Sequence, residues 1–204
     1  MIFPNPNAPT SIYEDLEFVE DIIRHNQDVI VIVDEAYIDF AGESALSLLD
    51  KYDNLIITQT FSKARSMAGM RIGYAIASPL LIKYLNDAKY SFNSYTMNKT
   101  SLVYGAEAVK DKEYLLRQHV KLWRQETGRR RIQKARLCIP KTKRKLHLCI
   151  TSGIRCKELF EAMKAKGIYV RFWGSERIEQ YLRVTIGTRE EMEALFAFLR
   201  EYMM

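Results

Sequence analysis

The sequence predicts an α/β protein in which a mostly parallel sheet is covered by helices and is followed by a smaller α+β domain. First, the run Val29–Val33 is continuously apolar, which is typical of a strand buried on both faces of a parallel sheet. Second, two further strand-like runs follow at Leu55–Ile57 and Arg71–Ala77. Third, a long helical pattern at 97–127 separates these strands from a region where helix and strand patterns alternate.

The first helix is predicted just after a loop of Asn and Pro residues at 5–10. Ser11 and Glu14 have the spacing of a capping box, in which two side chains satisfy the first free N–H groups of a helix. The apolar residues that then recur at helical spacing are Leu16, Val19 and Ile23. We therefore expect the helix to begin at the capping box.

A single long helix is predicted over residues 97–127, where it would connect two domains. Its apolar face would carry Leu102, Ala106, Val109, Leu116, Val120 and Trp123. We therefore expect residues 1–96 to form part of a large domain and residues 128–204 to form a small C-terminal domain.

The C-terminal region then contains a helix at Lys157–Lys166 ended by Gly167, and strands at Ile168–Phe172 and Tyr181–Ile186. Residues 188–191 fit a cap for a last helix. The inward face of that helix is predicted to carry Met192, Leu195, Leu199 and Tyr202.

The composition narrows the class of protein. The chain has 204 residues, of which 48% are hydrophobic, enough for a sizeable core. Its apolar runs, such as Val29–Val33, are too short to span a bilayer, and no secretory signal is visible, so we expect a soluble cytoplasmic protein. Three Cys residues at wide spacing suggest neither a disulfide framework nor a metal site.

One stretch, residues 128–156, is unlike the rest. Together with Lys157 it holds 11 Lys or Arg residues and no Asp or Glu, whereas the remaining chain has 20 basic and 25 acidic residues. Such a stretch could neutralise nucleic-acid phosphates, although it lacks aromatic residues for base stacking and charge runs are usually solvated. We hypothesise instead that it is translated in a shifted reading frame, because its composition changes so abruptly.

A group of polar residues around Lys63 predicts a pyridoxal phosphate site. The Lys would form the imine, the hydroxyls and guanidinium would bind the phosphate, and the carboxylate at the end of the apolar strand would face the ring nitrogen. Asp34 and the segment from Thr60 to Lys63 fall at the carboxyl ends of predicted strands, where ligands bind in parallel sheets. The group comprises Asp34, Tyr37, Thr60, Ser62, Lys63 and Arg71.

Several candidate site residues also have a purely structural interpretation. An isolated Lys in a Ser-rich turn is usually a solvated surface residue. Asp34 could be a helix N-cap or an exposed strand end. Arg171 and Arg183 lie among apolar neighbours in predicted strands and need an anion, which a substrate phosphate or carboxylate or an internal salt bridge would supply equally well.

Several segments resemble the fold-type I, class I and II aminotransferases, and closely the members that act on histidinol phosphate. The segments are PNPNAPT, VIVDEAYIDF, TFSKARSMAGMRIGYAIA, YSFNSYTMN, GIYVRFW and LRVTIGTREEM. The resemblance implies that Lys63 carries pyridoxal 5'-phosphate and shuttles the substrate proton, and that Asp34 and Tyr37 contact the ring nitrogen and the ring hydroxyl. It assigns the cofactor phosphate to Thr60, Ser62 and Arg71, and the anionic end of the substrate to Arg171 and Arg183.

Two departures accompany the resemblance. The family carries roughly as much chain again before PNPNAPT, so we expect the C-terminal portion of such an enzyme, with parts of the site missing. Ala8 stands where the family has an Asn that bonds the ring hydroxyl, and Asn7 is a neighbouring substitute.

The implied reaction transfers an amino group from histidinol phosphate to 2-oxoglutarate, giving imidazole acetol phosphate and glutamate in histidine biosynthesis. The full-length protein would be a homodimer. Three alternatives stay open, which are a class I or II member acting on an aromatic or other amino acid, an inactive truncated remnant, and a basic nucleic-acid-binding module.

Overall fold

The computed structural model describes residues 1–40, 42–117 and 155–202, and the backbone of the strand residues 137–138 and 146–151. The chain divides into two compact units, one made of residues 1–7 and 13–119, the other of residues 8–12 and 120–204. None of the helices in the described ranges combines the length and apolar character that crossing a bilayer requires. Most of the basic stretch 128–156 lies outside the described residues, so neither hypothesis about it is tested.

The first unit contains a four-stranded sheet in the order β1-β2-β3-β4, whose strands are Ile2–Pro4, Val31–Asp34, Leu55–Thr60 and Gly73–Ala77. The first three strands are parallel, and β4 pairs antiparallel with β3. Its named helices are α1 (Leu16–Arg24), α2 (Pro79–Phe92) and α3 (Lys99–Lys110). The expected mostly parallel sheet with helices is confirmed, whereas α2 was not predicted from the sequence.

The core of this unit lies between α1 and one face of the sheet. Val31 and Val33 are fully buried there, together with Leu55 and Ile57 of β3. Ile32 and Asp34 point to the opposite face and are half-buried, while Val29 and Ile30 precede the strand and are exposed. The expectation of burial on both faces is therefore wrong for β2, because α1 covers only the face of Val31 and Val33.

The N-cap of α1 is Asp15, not Ser11. The Asp15 carboxylate accepts a hydrogen bond of 3.0 Å from the Phe18 N–H. Ser11 has a left-handed backbone with φ of 60°, which differs from the extended conformation of an N-cap. The predicted capping box is thus wrong because a second good capping residue lies immediately before the helix.

The predicted long helix is broken within its first half. α3 ends at Lys110, Asp111 leaves the helical conformation, and residues 112–117 are helical again. The Asp111 carboxylate accepts from the Tyr114 N–H at 2.9 Å and so caps the second segment. Residues 118–127 lie outside the described part of the chain.

The packed face of α3 also differs from the prediction. Leu102 and Val109 are more than half exposed, and the buried residues are Ser101 and Gly105. Apolar spacing therefore identified the wrong face, because small residues let this helix pack closely against Met70 and Ile72.

The second unit contains a sheet in the order β5-β6-β8-β7, all antiparallel, with strands Leu137–Cys138, Leu146–Thr151, Tyr181–Thr185 and Arg171–Phe172 in that spatial order. Helices α4 (Cys156–Ala165) and α5 (Arg189–Tyr202) supply its core with Leu159, Met163, Met192 and Leu195. The predicted last helix and its cap are present, since Thr188 Oγ1 accepts from the Glu191 N–H at 3.3 Å and Glu191 accepts from the Thr188 N–H at 2.7 Å.

The inward face of α5 is Met192, Leu195, Phe196 and Leu199. Tyr202 is 39% exposed, so its predicted place in the core is wrong.

Candidate cofactor site

Two parallel strands end side by side at one edge of the first sheet. Asp34 is the last residue of β2 and pairs with Thr58 of β3, two residues before that strand ends at Thr60. The Glu35 N–H donates to the Thr58 carbonyl at 2.8 Å, and the Asn5 N–H donates to the Asp34 carbonyl at 2.9 Å. Three chain segments therefore hold this edge in register, where ligands of α/β proteins commonly bind.

The Asp34 carboxylate is oriented by its own turn. Its Oδ1 accepts a hydrogen bond of 2.9 Å from the Ala36 N–H. The side chain is half-buried on the face opposite the core, and in the described ranges its Oδ2 has no hydrogen-bond donor. A partly desolvated carboxylate with one uncommitted oxygen is suited to a cationic N–H partner.

Lys63 and Tyr37 are in direct contact. The Lys63 Nζ lies 5.1 Å from the centre of the Tyr37 ring. No carboxylate of the described residues lies within ion-pair distance of the half-buried Lys63. The amine thus lies over a ring and apart from any acid of the described residues, so no ion pair has to be broken before it can act as a nucleophile.

The turn after β3 presents two hydroxyl groups. Thr60 Oγ1 accepts from the Ser62 N–H at 3.1 Å and donates to the Ile72 carbonyl at 3.3 Å, so its orientation is fixed. The Ser62 hydroxyl has no partner within the described residues. Of the two, Ser62 is the donor that remains available to a ligand.

Arg71 lies at the far end of the same turn, two residues before the antiparallel strand β4 begins. Its backbone is left-handed, with φ of 57°, and its guanidinium donates to the Ala68 carbonyl at 2.8 Å. The Phe61 N–H donates to the carbonyl of neighbouring Ile72 at 3.1 Å. Arg71 is exposed, and it retains donors for an anion at this turn.

Helix α3 fastens this turn from outside through residues that the sequence reasoning missed. The Ser101 hydroxyl donates to the Met70 carbonyl at 2.9 Å, next to Arg71. Arg65, two residues after Lys63, donates to the Ala108 carbonyl near the C-terminus of α3. The sequence signal for this close packing was the pair of small residues Ser101 and Gly105, four positions apart in α3.

A second missed group lies on the core side of the same edge. Glu35 is 2% exposed, and its carboxylate accepts from the Ser44 hydroxyl at 2.6 Å, the Ala45 N–H at 2.7 Å and the Gln59 amide at 2.8 Å. The Tyr74 hydroxyl donates to the Gln59 oxygen at 2.5 Å. Burial, and then the charge of Asp39, raise the pKa of the Tyr74 hydroxyl above its ordinary value of 10.0, so it remains a donor at neutral pH.

The second unit carries the two predicted substrate-binding arginines. Arg171 and Arg183 are directly opposite each other on β7 and β8, and their guanidinium carbons lie 5.7 Å and 5.2 Å from the centre of the Trp173 ring. The Nε of Arg183 is buried without a hydrogen-bond partner, and neither Arg pairs with a carboxylate of the described residues. Of the two interpretations left open, the internal salt bridge is absent from the described part of the chain.

The remaining candidate, Asn7, is half-buried and follows β1 by three residues. Within the described residues, no hydrogen bond joins it to Asp34, Tyr37 or Lys63. The structure thus brings together Asp34, Tyr37 and the segment from Thr60 to Arg71, whose donor and acceptor set fits a phosphorylated pyridine. The described residues contain no cluster of side chains able to hold a metal ion.

Comparison with known proteins identifies relatives along nearly the whole chain. The family model described as aminotransferase class I and II matches residues 1–199. The histidinol-phosphate aminotransferase of Brachyspira hyodysenteriae is 46% identical over 191 residues, which cover 93% of this chain and 54% of the relative. That of Pseudomonas putida is 41% identical over 205 residues, covering 96% and 56%. The chain spans just over half the length of the curated relatives it matches.

Solved structures share the fold. The histidinol-phosphate aminotransferase of Clostridium acetobutylicum superposes with a TM-score of 0.87 at 20% identity, covering 98% of this chain and 63% of that chain. The enzyme of Sinorhizobium meliloti, in complex with pyridoxal-5'-phosphate, gives 0.85 at 22% identity, covering 98% and 57%. These matches confirm the expected fold class and family resemblance, and they confirm pyridoxal phosphate as the cofactor of that family.

Proposed function

The chain belongs to the class I and II aminotransferase family, and we propose that it binds pyridoxal phosphate through Lys63 and carries the catalytic part of a histidinol-phosphate aminotransferase. The substrates would be histidinol phosphate and 2-oxoglutarate, and the products imidazole acetol phosphate and glutamate. The relatives named above, at 46% and 41% identity, support this choice of substrates over an aromatic or other amino acid.

Each residue of the first unit then has a defined task. When bound, pyridoxal phosphate supplies an electron sink for the bond to the substrate's α-hydrogen. Lys63 Nζ would hold the cofactor and move the proton from the substrate carbon, because it is a half-buried amine without a carboxylate partner. The free Oδ2 of Asp34 would accept from the ring N–H and keep that nitrogen protonated.

Phosphate binding falls to the turn that joins β3 and β4. Ser62 would donate its hydroxyl and Arg71 its remaining N–H groups, while Thr60 shapes the turn through its bonds to Ser62 and Ile72. Tyr37 and Asn7 would contact the ring hydroxyl, Tyr37 from its place beside Lys63.

The proposal rests on one contact, in which Lys63 Nζ lies 5.1 Å from the centre of the Tyr37 ring. Tyr37 follows Asp34 by three residues at the end of β2, whereas Lys63 follows β3. The contact therefore brings the proposed imine-forming amine next to the segment that would bind the cofactor ring.

The test is titration of the purified chain with pyridoxal phosphate, followed by visible absorption and by peptide mass mapping after borohydride reduction. We expect the cofactor mass on the peptide that contains Lys63, and its loss in Lys63→Ala. Lys89→Ala is the matched control, since Lys89 Nζ also lies 5.1 Å from a Tyr ring, that of Tyr90, but on the exposed face of α2. Labelling at Lys89, or equal labelling of many lysines, would contradict the proposal.

The arginine pair of the second unit supports a phosphorylated substrate. Like charges directly opposite each other on adjacent strands are unfavourable unless an anion lies between or beside them. Arg171 and Arg183 both remain free of carboxylate partners among the described residues, and both are held over Trp173. We assign the substrate's phosphate to these two guanidinium groups.

Calorimetric titration with histidinol phosphate and with histidinol tests this assignment. The preference for the phosphorylated compound should fall in Arg183→Ala but persist in Arg177→Ala, an exposed Arg of the loop between β7 and β8. Equal loss in both variants would show that only overall charge matters. We further propose a homodimer and a cytoplasmic location for the complete enzyme.

A further inference from the structure

Glu35 connects the site edge to the core through a set of neutral donors. Its carboxylate receives three hydrogen bonds, from the Ser44 hydroxyl, the Ala45 N–H and the Gln59 amide, at 2.6, 2.7 and 2.8 Å. No Lys or Arg of the described residues forms an ion pair with it. A buried carboxylate costs stability unless its oxygens are satisfied, and these three donors satisfy both oxygens of Glu35.

The backbone of Glu35 is fixed on both sides. Its N–H donates to the Thr58 carbonyl at 2.8 Å, and its carbonyl accepts from the Ile38 N–H at 3.0 Å. The turn between these two bonds carries Tyr37, and Asp34 immediately precedes it. Side-chain and backbone bonds of Glu35 therefore both restrict where Asp34 and Tyr37 can lie.

The alternation of β2 places Glu35 and Asp34 on opposite faces. Val31, Val33 and Glu35 are buried on the core face, whereas Asp34 is half-buried on the other. A rotation of the chain at Glu35 would carry Asp34 with it. The amide of Gln59, held in turn by the Tyr74 hydroxyl, resists such a rotation from the neighbouring strand.

We propose that Glu35 is a positioning residue that holds the Asp34 carboxylate at the cofactor's ring nitrogen. This inference rests on the proposed function, because it gives Asp34 that partner. Glu35 itself touches neither the cofactor nor the substrate, and it acts through the hydrogen bonds that it receives from Ser44, Ala45 and Gln59.

Two variants separate this role from a general contribution to folding. Glu35→Gln replaces one acceptor oxygen by an amide that faces the amide of Gln59 and so breaks that bond. The double variant Glu35→Gln with Gln59→Glu exchanges the two groups and restores a donor and an acceptor across the same bond. In it, Tyr74 still finds an oxygen acceptor at position 59. Should Glu35→Gln fail to fold, Ser44→Ala removes a single donor and serves in its place.

The readout is the ratio of two dissociation constants, for pyridoxal phosphate and for its analogue with carbon in place of the ring nitrogen. Only pyridoxal phosphate has a ring nitrogen with which the Asp34 carboxylate can pair. We expect the wild-type preference for pyridoxal phosphate to fall about tenfold in Glu35→Gln, as for the loss of one bond to a charged group. The exchanged double variant should recover it, and Asp34→Asn should show the lower limit. Urea unfolding of each variant reports the separate effect on stability.

The outcomes are distinct. A Glu35→Gln protein that keeps the wild-type ratio, while Asp34→Asn loses it, overturns the inference and leaves the proposed function intact. A wild-type chain that binds both compounds equally overturns the role of Asp34, and the inference with it. A wild-type chain that binds neither compound overturns the proposed function itself.

Discussion

The ammonium nitrogen of Lys63 lies 5.1 Å from the centre of the Tyr37 ring, although the two residues follow different strands. A cation over an aromatic face gains about 0.5–1 kcal/mol at exposed sites and more when it is desolvated. The same contact orders Lys63 before any ligand binds. Tyr37 therefore combines a structural task, performed by its ring, with a proposed binding task, performed by its hydroxyl.

The two tasks of Tyr37 can be separated by substitution. Tyr37→Phe retains the ring, so we expect the free energy of unfolding to change by less than about 0.5 kcal/mol, while affinity for pyridoxal phosphate falls through the lost hydrogen bond. Tyr37→Leu should lower both quantities. Urea unfolding and cofactor titration measure them separately. An unchanged affinity in Tyr37→Phe would remove the hydroxyl from the site.

Replacement of Asp34 by Asn should affect the cofactor and spare the fold. The Asn side-chain oxygen can still accept from the Ala36 N–H, so the turn is preserved, but the charge that would stabilise a protonated ring nitrogen is lost. We expect weaker binding by about tenfold or more and little change in the urea midpoint. Asp28→Asn, an exposed change shortly before β2, is the matched control. Equal binding by both variants would contradict the assignment of Asp34.

The sequence predicted Asp34 and Lys63 because each follows an apolar run, and parallel strands bring their carboxyl ends to one edge. It failed where two residues competed for one task, as Ser11 and Asp15 did for the start of α1. Apolar periodicity also assigned the wrong buried face to α3. Its buried residues are Ser101 and Gly105, and Leu102 is exposed. An apolar stripe fails to mark the packed face when a helix packs so closely that only small side chains fit at the contact, as Ser101 and Gly105 do here.

Because α3 packs closely against the turn between β3 and β4, we expect a larger side chain at position 105 to destabilise the first unit. A Cβ at this position would lie 2.8 Å from Cδ1 of Ile72, so Gly105→Ala should be partly accommodated by rotation of that side chain. Gly105→Val should cost about 1–3 kcal/mol of unfolding free energy and should weaken phosphate binding by displacing the residue beside Arg71. Gly69→Ala is the control, because nothing lies within 4 Å of its added carbon. Thermal unfolding measures the stability of both variants. If Gly105→Val lowers it no more than Gly69→Ala does, the close contact of α3 with Ile72 is disproved.

Acid should weaken the first unit in part through Glu20. Hydrogen bonds from Lys51 and then Tyr52, at 3.2 Å and 3.1 Å, hold the pKa of the Glu20 carboxyl below its ordinary value of 4.5. A carboxyl whose pKa is lowered by folding contributes stability above its unfolded pKa, and that contribution is lost as pH falls through the folded value.

Glu20→Gln removes this titration but keeps an acceptor for Tyr52. We therefore expect the variant to lose less unfolding free energy than the wild type as pH falls below 4.5. Urea unfolding at a series of pH values measures the difference. Glu43→Gln, at an exposed position outside this pair of bonds, should follow the wild-type curve. A Glu20→Gln curve parallel to the wild type would show that the bonds to Lys51 and Tyr52 do not persist in solution.

The arginine pair of the second unit predicts a specific response to phosphate. Arg171 and Arg183 face each other across β7 and β8, so in low salt their repulsion lowers stability, by about 0.5 kcal/mol for a like-charge pair on adjacent strands. Arg171→Gln should relieve this repulsion and raise the unfolding free energy in dilute chloride buffer. In phosphate at the same ionic strength the order should reverse, because the anion stabilises only the wild type by binding both guanidinium groups.

Arg177→Gln provides the comparison, since it removes an equal charge from the adjacent loop without touching the pair. We expect it to retain the full stabilisation by phosphate. If phosphate instead stabilises Arg171→Gln as much as the wild type, the two strands hold no anion between their arginines. Arg183 would then be positioned by its contact with Trp173 alone, and the substrate's phosphate would need a different partner.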